Sequence, residues 1–299
     1  LVELRRIRKS FAGTVAVRDL SFQAMPGEIF GIIGPNGAGK STAIRILMNI
    51  LAPDGGDVLV SGKSLRPRDK ARIGYLPEER GVYPRVRVSQ FLRYLGELKG
   101  MSGPAAEDAA RRWLERFGLA DRKESKTDTL SKGMTQKVQF VGAVQHDPDV
   151  VVLDEPFSGL DPVSTETVKD AVLELKRAGK VVLFSTHLME HAERLCDRLV
   201  MVHRGEAVLS GSLREIRERY GSNTVQIEFD GDASDVRASP HVSAVTEYPR
   251  YLEATLTEAG DSNALLGELL ERARIHRFER LAASLHRIFV ETAGESADA

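Results

Sequence analysis

Short apolar runs set between helical stretches give this chain its texture. Residues 28–33 carry Ile29, Phe30, Ile32 and Ile33, residues 150–153 are Val-Val-Val-Leu, and Val, Leu and Phe dominate residues 181–185. Continuous β-branched runs of this length suit strands buried on both faces of a parallel sheet. Elsewhere the spacing becomes three or four. Ile44, Leu47, Met48 and Leu51 follow one helical face, and residues 88–99, 105–117 and 132–145 show the same period. Gly100-Met101-Ser102-Gly103-Pro104 separates the first two of these helices. The order predicts an α/β fold with a helical subdomain over about residues 81–145.

The texture changes at Tyr220-Gly221-Ser222-Asn223. Beyond it Val225, Ile227 and Phe229 alternate like a half-buried strand, and residues 251–256 repeat the pattern. Residues 261–273 and 284–292 read as helices. The boundary expected is therefore a first domain over 1–220 and a small C-terminal α+β domain over 221–299, with 294–299 frayed.

Composition narrows the classes. A length of 299 residues suits two domains, and 42% hydrophobic with 28% charged residues supports a full-sized core. The net charge of -1 gives no reason to expect a nucleic-acid partner. One cysteine, Cys196, excludes an intramolecular disulfide and suits a reducing cytosol. No apolar stretch approaches the roughly 20 residues of a membrane-spanning helix.

The chemistry begins where the first apolar run ends. Gly34-Pro35-Asn36-Gly37-Ala38-Gly39-Lys40-Ser41 fits G-x-x-x-x-G-K-[ST] at every fixed position, between a strand and a helix. The glycines let successive N–H groups curl around a phosphate, and the helix N-terminus adds partial positive charge. Lys40 can reach the terminal phosphates, and the Ser41 hydroxyl can ligate Mg²⁺. With Thr42, this loop is the expected ATP site. Asp154 and Glu155 end the second apolar run. Asp154 suits Mg²⁺ held through water, and Glu155 suits the orientation and deprotonation of an attacking water. Both could instead cap the turn that follows. His187-Leu188-Met189-Glu190-His191 fits a zinc-protease pattern. Lacking a third ligand, it is set aside, His191 being read as an exposed helix residue and Cys196 as packing.

Leu130-Ser131-Lys132-Gly133-Met134-Thr135-Gln136 opens a helix. Ser131 can cap it, but Ser and Gly at a helix N-terminus also bind anions. Ser131-Lys132-Gly133 resembles the Leu-Ser-Gly-Gly-Gln signature of ATP-binding-cassette ATPases. The resemblance implies that Ser131 and Gly133 cover the γ-phosphate of ATP bound to a second copy, in a head-to-tail homodimer. Ser158-Gly159-Leu160-Asp161 is similar to the family's D-loop, so Asp161 reaches across that dimer. Phe184-Ser185-Thr186-His187 is similar to its switch-histidine segment, which puts His187 at the γ-phosphate. Phe11 sits where the family stacks an aromatic on adenine; an ordinary core Phe is the other reading. The chain departs from the family twice. Glu78, in Leu76-Pro77-Glu78-Glu79-Arg80, takes the place of a Gln that serves the metal, and Lys132 and Met134 replace usual signature residues.

What the resemblance implies is a cassette ATPase with a helical subdomain, working with separately encoded transmembrane permease subunits on the cytoplasmic face of a membrane. The helical subdomain, near residues 78–94, would carry the permease contact, where Tyr83 and Pro84 either offer an exposed contact or only shape a turn. The C-terminal piece resembles the accessory domain of bacterial exporter ATPases of the drug, antibiotic or sodium type. The alternative from another class is a soluble cassette ATPase acting on ribosomes or DNA; a third is an importer ATPase.

Overall fold

The computed structural model describes all residues except 80, 82–83, 221–222, 258, 282–283 and 296–299. Tyr83 therefore lies outside the described residues. The chain divides into two compact units, the larger built on Leu1–Leu213 and the smaller spanning Arg214–Glu291.

The larger unit begins with β1 (Val2–Phe11), β2 (Thr14–Ala24) and β3 (Glu28–Ile33), followed by α1 (Lys40–Leu47). Then come β4 (Gly55–Val60), β5 (Lys63–Ser64), β6 (Ile73–Leu76) and the helices α2 (Val88–Leu98), α3 (Gly103–Arg116) and α4 (Lys132–Val144). It closes with β7 (Val150–Asp154), α5 (Pro162–Arg177), β8 (Val181–Thr186), α6 (Met189–Leu195), β9 (Arg198–His203) and β10 (Glu206–Ser212).

These strands form one sheet in the order β5-β4-β1-β2-β10-β9-β3-β8-β7-β6. Strands β9, β3, β8, β7 and β6 run parallel to one another, β10 pairs antiparallel with β9, and β1, β2, β4 and β5 form an antiparallel flank. A single pairing, Glu206 with Asp19, joins the two parts. The parallel strands are apolar along their centres, as burial on both faces requires; β7 and β8 are buried along their whole length. Phe30, Ile44, Leu47, Val152, Leu183 and Val200 belong to one core beneath the antiparallel flank, with Phe22 stacked on Phe30 at 4.8 Å.

Helix α4 is buried on nearly every side, which its mixed run of Val, Phe, Ala and Gln permits. Trp113 of α3 and Phe117 meet Phe140 of α4 edge-on at 6.1 and 5.5 Å. Gly142 lets Leu95 of α2 approach so closely that an added Cβ would lie 2.5 Å from its Cδ1. The helical block thus packs around α4, which points its N-terminus at β7.

The smaller unit contains α7 (Leu213–Arg219), β11 (Thr224–Asp230), α8 (Ala233–Arg237), β12 (Val242–Glu247), β13 (Leu252–Leu256), α9 (Ser262–Leu270), β14 (Arg274–Arg280) and α10 (Leu285–Glu295). Its antiparallel sheet has the order β12-β13-β11-β14. Val225, Ile227, Leu252, Ala254 and Leu256 face Leu265 and Leu269 of α9 in a core of its own. Strands β12 and β14 carry few apolar residues, and no alternation announces them; β14 pairs through Phe278 with Ile227 and Ile275 with Phe229 across a register shift. Among the described residues, no helix is long and apolar enough to cross a membrane.

Candidate functional site

Strand order places the chemistry. Strand β8 lies between β3, which leads into the phosphate loop, and β7, which ends in Asp154. In register, Thr186 faces Ile33 and Ser185 faces Asp154. The C-terminal ends of three neighbouring parallel strands therefore bring the loop, the two acids and the 184–187 segment to one edge, where open α/β sheets bind ligands.

Close backbone approach shapes the loop. A Cβ at Gly34 would lie 2.1 Å from Val202 O, and one at Gly39 would lie 2.4 Å from Ala16 O, at a φ of +107°. Only glycine fits either place. Gly39 precedes α1, whose first turn has neither a side-chain cap nor an acidic residue, so its N–H groups and dipole remain directed at the loop. Lys40, 6% exposed, donates to Gly34 O at 2.8 Å and Pro35 O at 3.0 Å. Burial holds its ammonium below the usual lysine range, against the pull of Glu155, Asp154 and Glu78.

Asn36, Gly37, Gly39, Lys40, Ser41 and Thr42 line a cleft of about 200 Å³ together with Glu78 and Glu155. Pro35 and Ala38 form the loop's scaffold, Pro35 O accepting from Ala38 N at 3.2 Å. The Ser41 hydroxyl stands 3.2 Å from Glu78 Oε2 and 3.4 Å from Asp154 Oδ1. Asp154 is 1% exposed, and desolvation raises its carboxyl above the usual range despite hydrogen bonds from Ser185 and Ser41. A hydroxyl and two carboxylates form an all-oxygen set suited to a hard cation that keeps several waters. No trio of His, Cys, Asp or Glu side chains placed to hold a metal occurs among the described residues. The chemistry of Ser41, Glu78 and Asp154 is nevertheless compatible with Mg²⁺.

Glu155 is 8% exposed and takes φ +50°, a left-handed conformation that costs a non-glycine residue about 1–2 kcal/mol. The cost is met by partners on every side. Its amide donates to Ser185 Oγ at 3.1 Å, and Ser185 Oγ donates to Asp154 Oδ1. Gln136 Nε2 lies 3.4 Å from Glu155 O and 3.2 Å from Pro156 O. Its carboxylate accepts from the amide of His187 at 3.0 Å and faces His187 Nδ1 at 2.8 Å. Neither acid is spent on capping the turn after β7.

Ser185 and Gln136 were not singled out in the sequence. A serine closing an apolar strand beside the acid-bearing strand is the one local signal for the first. Gln136 has none, since its partners are main-chain carbonyls far along the chain.

The remaining residues gather elsewhere. Ser131, Gly133 and Asp161 do not line this cleft. Ser131 caps α4, accepting from Met134 N at 3.3 Å. Asp161 caps α5, accepting from Ser164 N at 2.9 Å; that residue's hydroxyl and amide hold its carboxyl below the usual range. Phe11 is 46% exposed with Lys9 Nζ 5.5 Å from its ring centroid, so it is not a core residue.

One reading needs correction. His191 is not an exposed helix residue: it is half-buried, its ring 4.6 Å from that of Phe157 and edge-on to it. His187 precedes α6, so it shares no helix face with His191. Cys196 is buried against Gly31, where an added Cβ would meet its Sγ at 2.5 Å.

Comparison with known proteins agrees with this geometry. A family model described as ABC transporter matches residues 17–158, and one for the C-terminal domain of DrrA1-3-like ATP-binding proteins matches residues 211–293. The uncharacterized ABC transporter ATP-binding protein YhaQ of Bacillus subtilis (strain 168) is 37% identical over 98% of this chain and 99% of its own. The Nod factor export ATP-binding protein I of Bradyrhizobium diazoefficiens is 35% identical over 85% of this chain and 82% of its own. A solved ATP-binding subunit of an ABC transporter superposes with a TM-score of 0.70 at 32% identity, covering 74% of this chain and 93% of that one. These relatives are transporter subunits, which decides against the ribosome- or DNA-acting alternative. The chain belongs to the ATP-hydrolysing, ATP-binding subunits of ABC transporters.

Proposed function

We propose that the chain works as a head-to-tail homodimer that hydrolyses Mg²⁺-ATP and drives separately encoded transmembrane subunits, exporting their cargo from the inner face of the membrane. The observation that carries this reading is the division of the conserved-type chemistry into two patches. Lys40, Ser41, Glu78 and Glu155 line one cleft, with Asp154 3.4 Å from the Ser41 hydroxyl, while Ser131, Gly133 and Asp161 sit outside it, Ser131 and Asp161 exposed. A second copy supplies the missing cover when it docks head to tail.

The residue roles follow from the geometry. The amides of the 34–42 loop and Lys40 hold the phosphates, and Phe11 stacks on adenine. Mg²⁺, when bound at Ser41, Glu78 and Asp154, neutralises charge on the phosphate oxygens. His187 occupies Glu155 Oε1, which leaves Oε2 to accept a proton from the attacking water. ATP and water then become ADP and phosphate, and His187 keeps the carboxylate aimed.

The permease contact rests on an apolar groove of about 360 Å³ lined by Met48, Ile50, Tyr75, Pro77, Phe91 and Leu98, among others. Ile50, Leu98 and nearby Tyr94 are exposed apolar side chains. A short amphipathic helix from a transmembrane subunit fits this surface, and Pro77 sits next to Glu78, so occupancy reaches the metal holder directly. Export, rather than import, is supported by the Nod factor export relative and by the C-terminal match. Residues 1–220 carry the chemistry, and 221–299 act on assembly or regulation.

The test is affinity purification of the tagged chain from native membranes, followed by Mg²⁺-ATPase assay. An integral membrane partner and ATPase activity that rises more than linearly with protein concentration support the reading. A chain that purifies alone and hydrolyses as a monomer overturns it.

A further inference from the structure

The N-terminal end of α4 is fastened to the loop that follows Glu155 at three points. Gln136 Nε2 reaches Glu155 O and Pro156 O. Gly133 lies against the next stretch: a Cβ there would be 3.5 Å from Gly159 O and 3.7 Å from Leu160 Cδ2. The third point is the residue that departs from the family signature. A Cβ at Gly159 would lie 2.3 Å from Lys132 Cε, 2.6 Å from Cδ and 3.0 Å from Cγ, so the lysine stem covers the bare glycine face. Its ammonium makes no salt bridge among the described residues. What the structure gives Lys132 is therefore a packing contact through methylenes.

Gly159 stands at φ +73°, and no side chain of its own limits it. The loop it belongs to starts at Glu155, itself in a left-handed conformation held by neighbours. Freedom at Gly159 passes to Glu155 through a span closed by only two main-chain bonds, Ser158 N to Glu155 O at 3.1 Å and Leu160 N to Phe157 O at 3.3 Å. Two fastenings act on either end of that span, Gln136 at its start and Lys132 at Gly159.

We propose that Lys132 is a positioning residue: its aliphatic stem clamps Gly159, and through the 156–160 loop it holds the Glu155 carboxylate in its working orientation. The role rests on the reading of Glu155 as the general base. It also makes the signature helix and the Glu155 loop one rigid piece within a subunit, so a displacement of α4 is felt at Glu155.

The experiment compares the full-length wild type with Lys132→Ala and Lys132→Met, measuring steady-state Mg²⁺-ATPase, nucleotide affinity by calorimetry and amide exchange of the loop. Lys132→Ala should lose roughly tenfold in kcat, the scale on which small displacements of a reacting group act, with nucleotide affinity unchanged. The amides of Ser158 and Leu160 should exchange faster. Lys132→Met keeps the stem without the charge and should restore both kcat and protection. If Lys132→Ala hydrolyses like wild type, or if Lys132→Met is as slow as Lys132→Ala, the clamp is overturned, the second result assigning the effect to the ammonium. An inactive wild type would sink the reading of the chain as a working ATPase, which this series separates from failure of the clamp alone.

Discussion

His187 and Glu155 meet twice at one oxygen: the His187 amide donates to Glu155 Oε1 at 3.0 Å, and Nδ1 stands 2.8 Å from it. The second contact is a hydrogen bond in the His187 tautomer that carries its proton on Nδ1. The pair locks one carboxylate oxygen and leaves the other for chemistry. Glu155→Gln should therefore bind ATP normally and lose about 10²–10⁴ in kcat. The variant should accumulate as an ATP-bound dimer on gel filtration. His187→Ala keeps the amide bond but frees the side chain, so its loss should be smaller. Equal activity of Glu155→Gln and wild type would remove Glu155 from the role.

Ser185 joins the two acids, accepting from the Glu155 amide and donating to Asp154. Ser185→Ala leaves a buried amide and a buried carboxylate each short of a partner. The expected cost is about 1–3 kcal/mol in unfolding free energy, read from denaturant melts. Hydrolysis should fall as well, since both acids lose their common anchor. Ser185→Thr, which keeps the hydroxyl, should recover the activity but strain the packing.

Asp154 pays for its position. Desolvation lifts its folded-state pKa above the unfolded value. The sign follows from linkage: the folded form binds the proton more tightly, so the stabilising contribution is complete below the unfolded pKa and is lost as pH rises through the folded one. At neutral pH the ionised carboxylate is thus a net burden in the absence of a cation. Asp154→Asn should stabilise the metal-free protein by about 0.5–2 kcal/mol at pH 7–8, while abolishing Mg²⁺-dependent hydrolysis. Thermal melts without nucleotide should show the gap narrowing as pH falls. A gap that widens toward acid would refute the assignment.

Glu78 Oε2 stands 3.2 Å from the Ser41 hydroxyl, where we propose that Mg²⁺ is held. Glu78→Gln retains an acceptor oxygen at the same reach and should hydrolyse ATP nearly as well. Glu78→Ala removes it and should raise the Mg²⁺ concentration needed for half-maximal activity. Titration of ATPase against Mg²⁺ separates the two. If alanine leaves the curve unmoved, the neighbouring Glu79, paired with Arg45 at 3.1 Å, is the next acid to test.

Burial raises the Cys196 thiol far above the ordinary cysteine range. It should resist thiol reagents in the native protein and react only on unfolding, which makes labelling a direct reporter of opening. Gly31→Ala should break this packing, because its Cβ would meet Sγ at 2.5 Å. The variant should melt earlier and label faster. Fast labelling of the wild type under native conditions would contradict the buried placement.

The phosphate loop was legible as a motif, because its pattern is local. Strand, glycines, Lys40 and Ser41 are contiguous, and main-chain torsion with helix polarity does the rest. Asp154, Glu155 and His187 were legible as residues at strand ends, and the central parallel strands as runs of Val, Ile and Leu. Contacts joined across long stretches of chain were not legible. The Ser185–Asp154 and Gln136–Glu155 contacts span 31 and 19 residues. They exist because β8 inserts between β3 and β7 and because α4 points at β7, neither of which any local pattern encodes. His191 was misread for the same reason: exposure belongs to the packed neighbours, and Phe157 lies edge-on against its ring. Strand β14, with Arg274, His276, Arg277, Glu279 and Arg280 among its seven residues, holds its place at a sheet edge only because β11 offers Ile227 and Phe229 to its two apolar side chains. A strand of that composition has no stable conformation to announce until its partner is there.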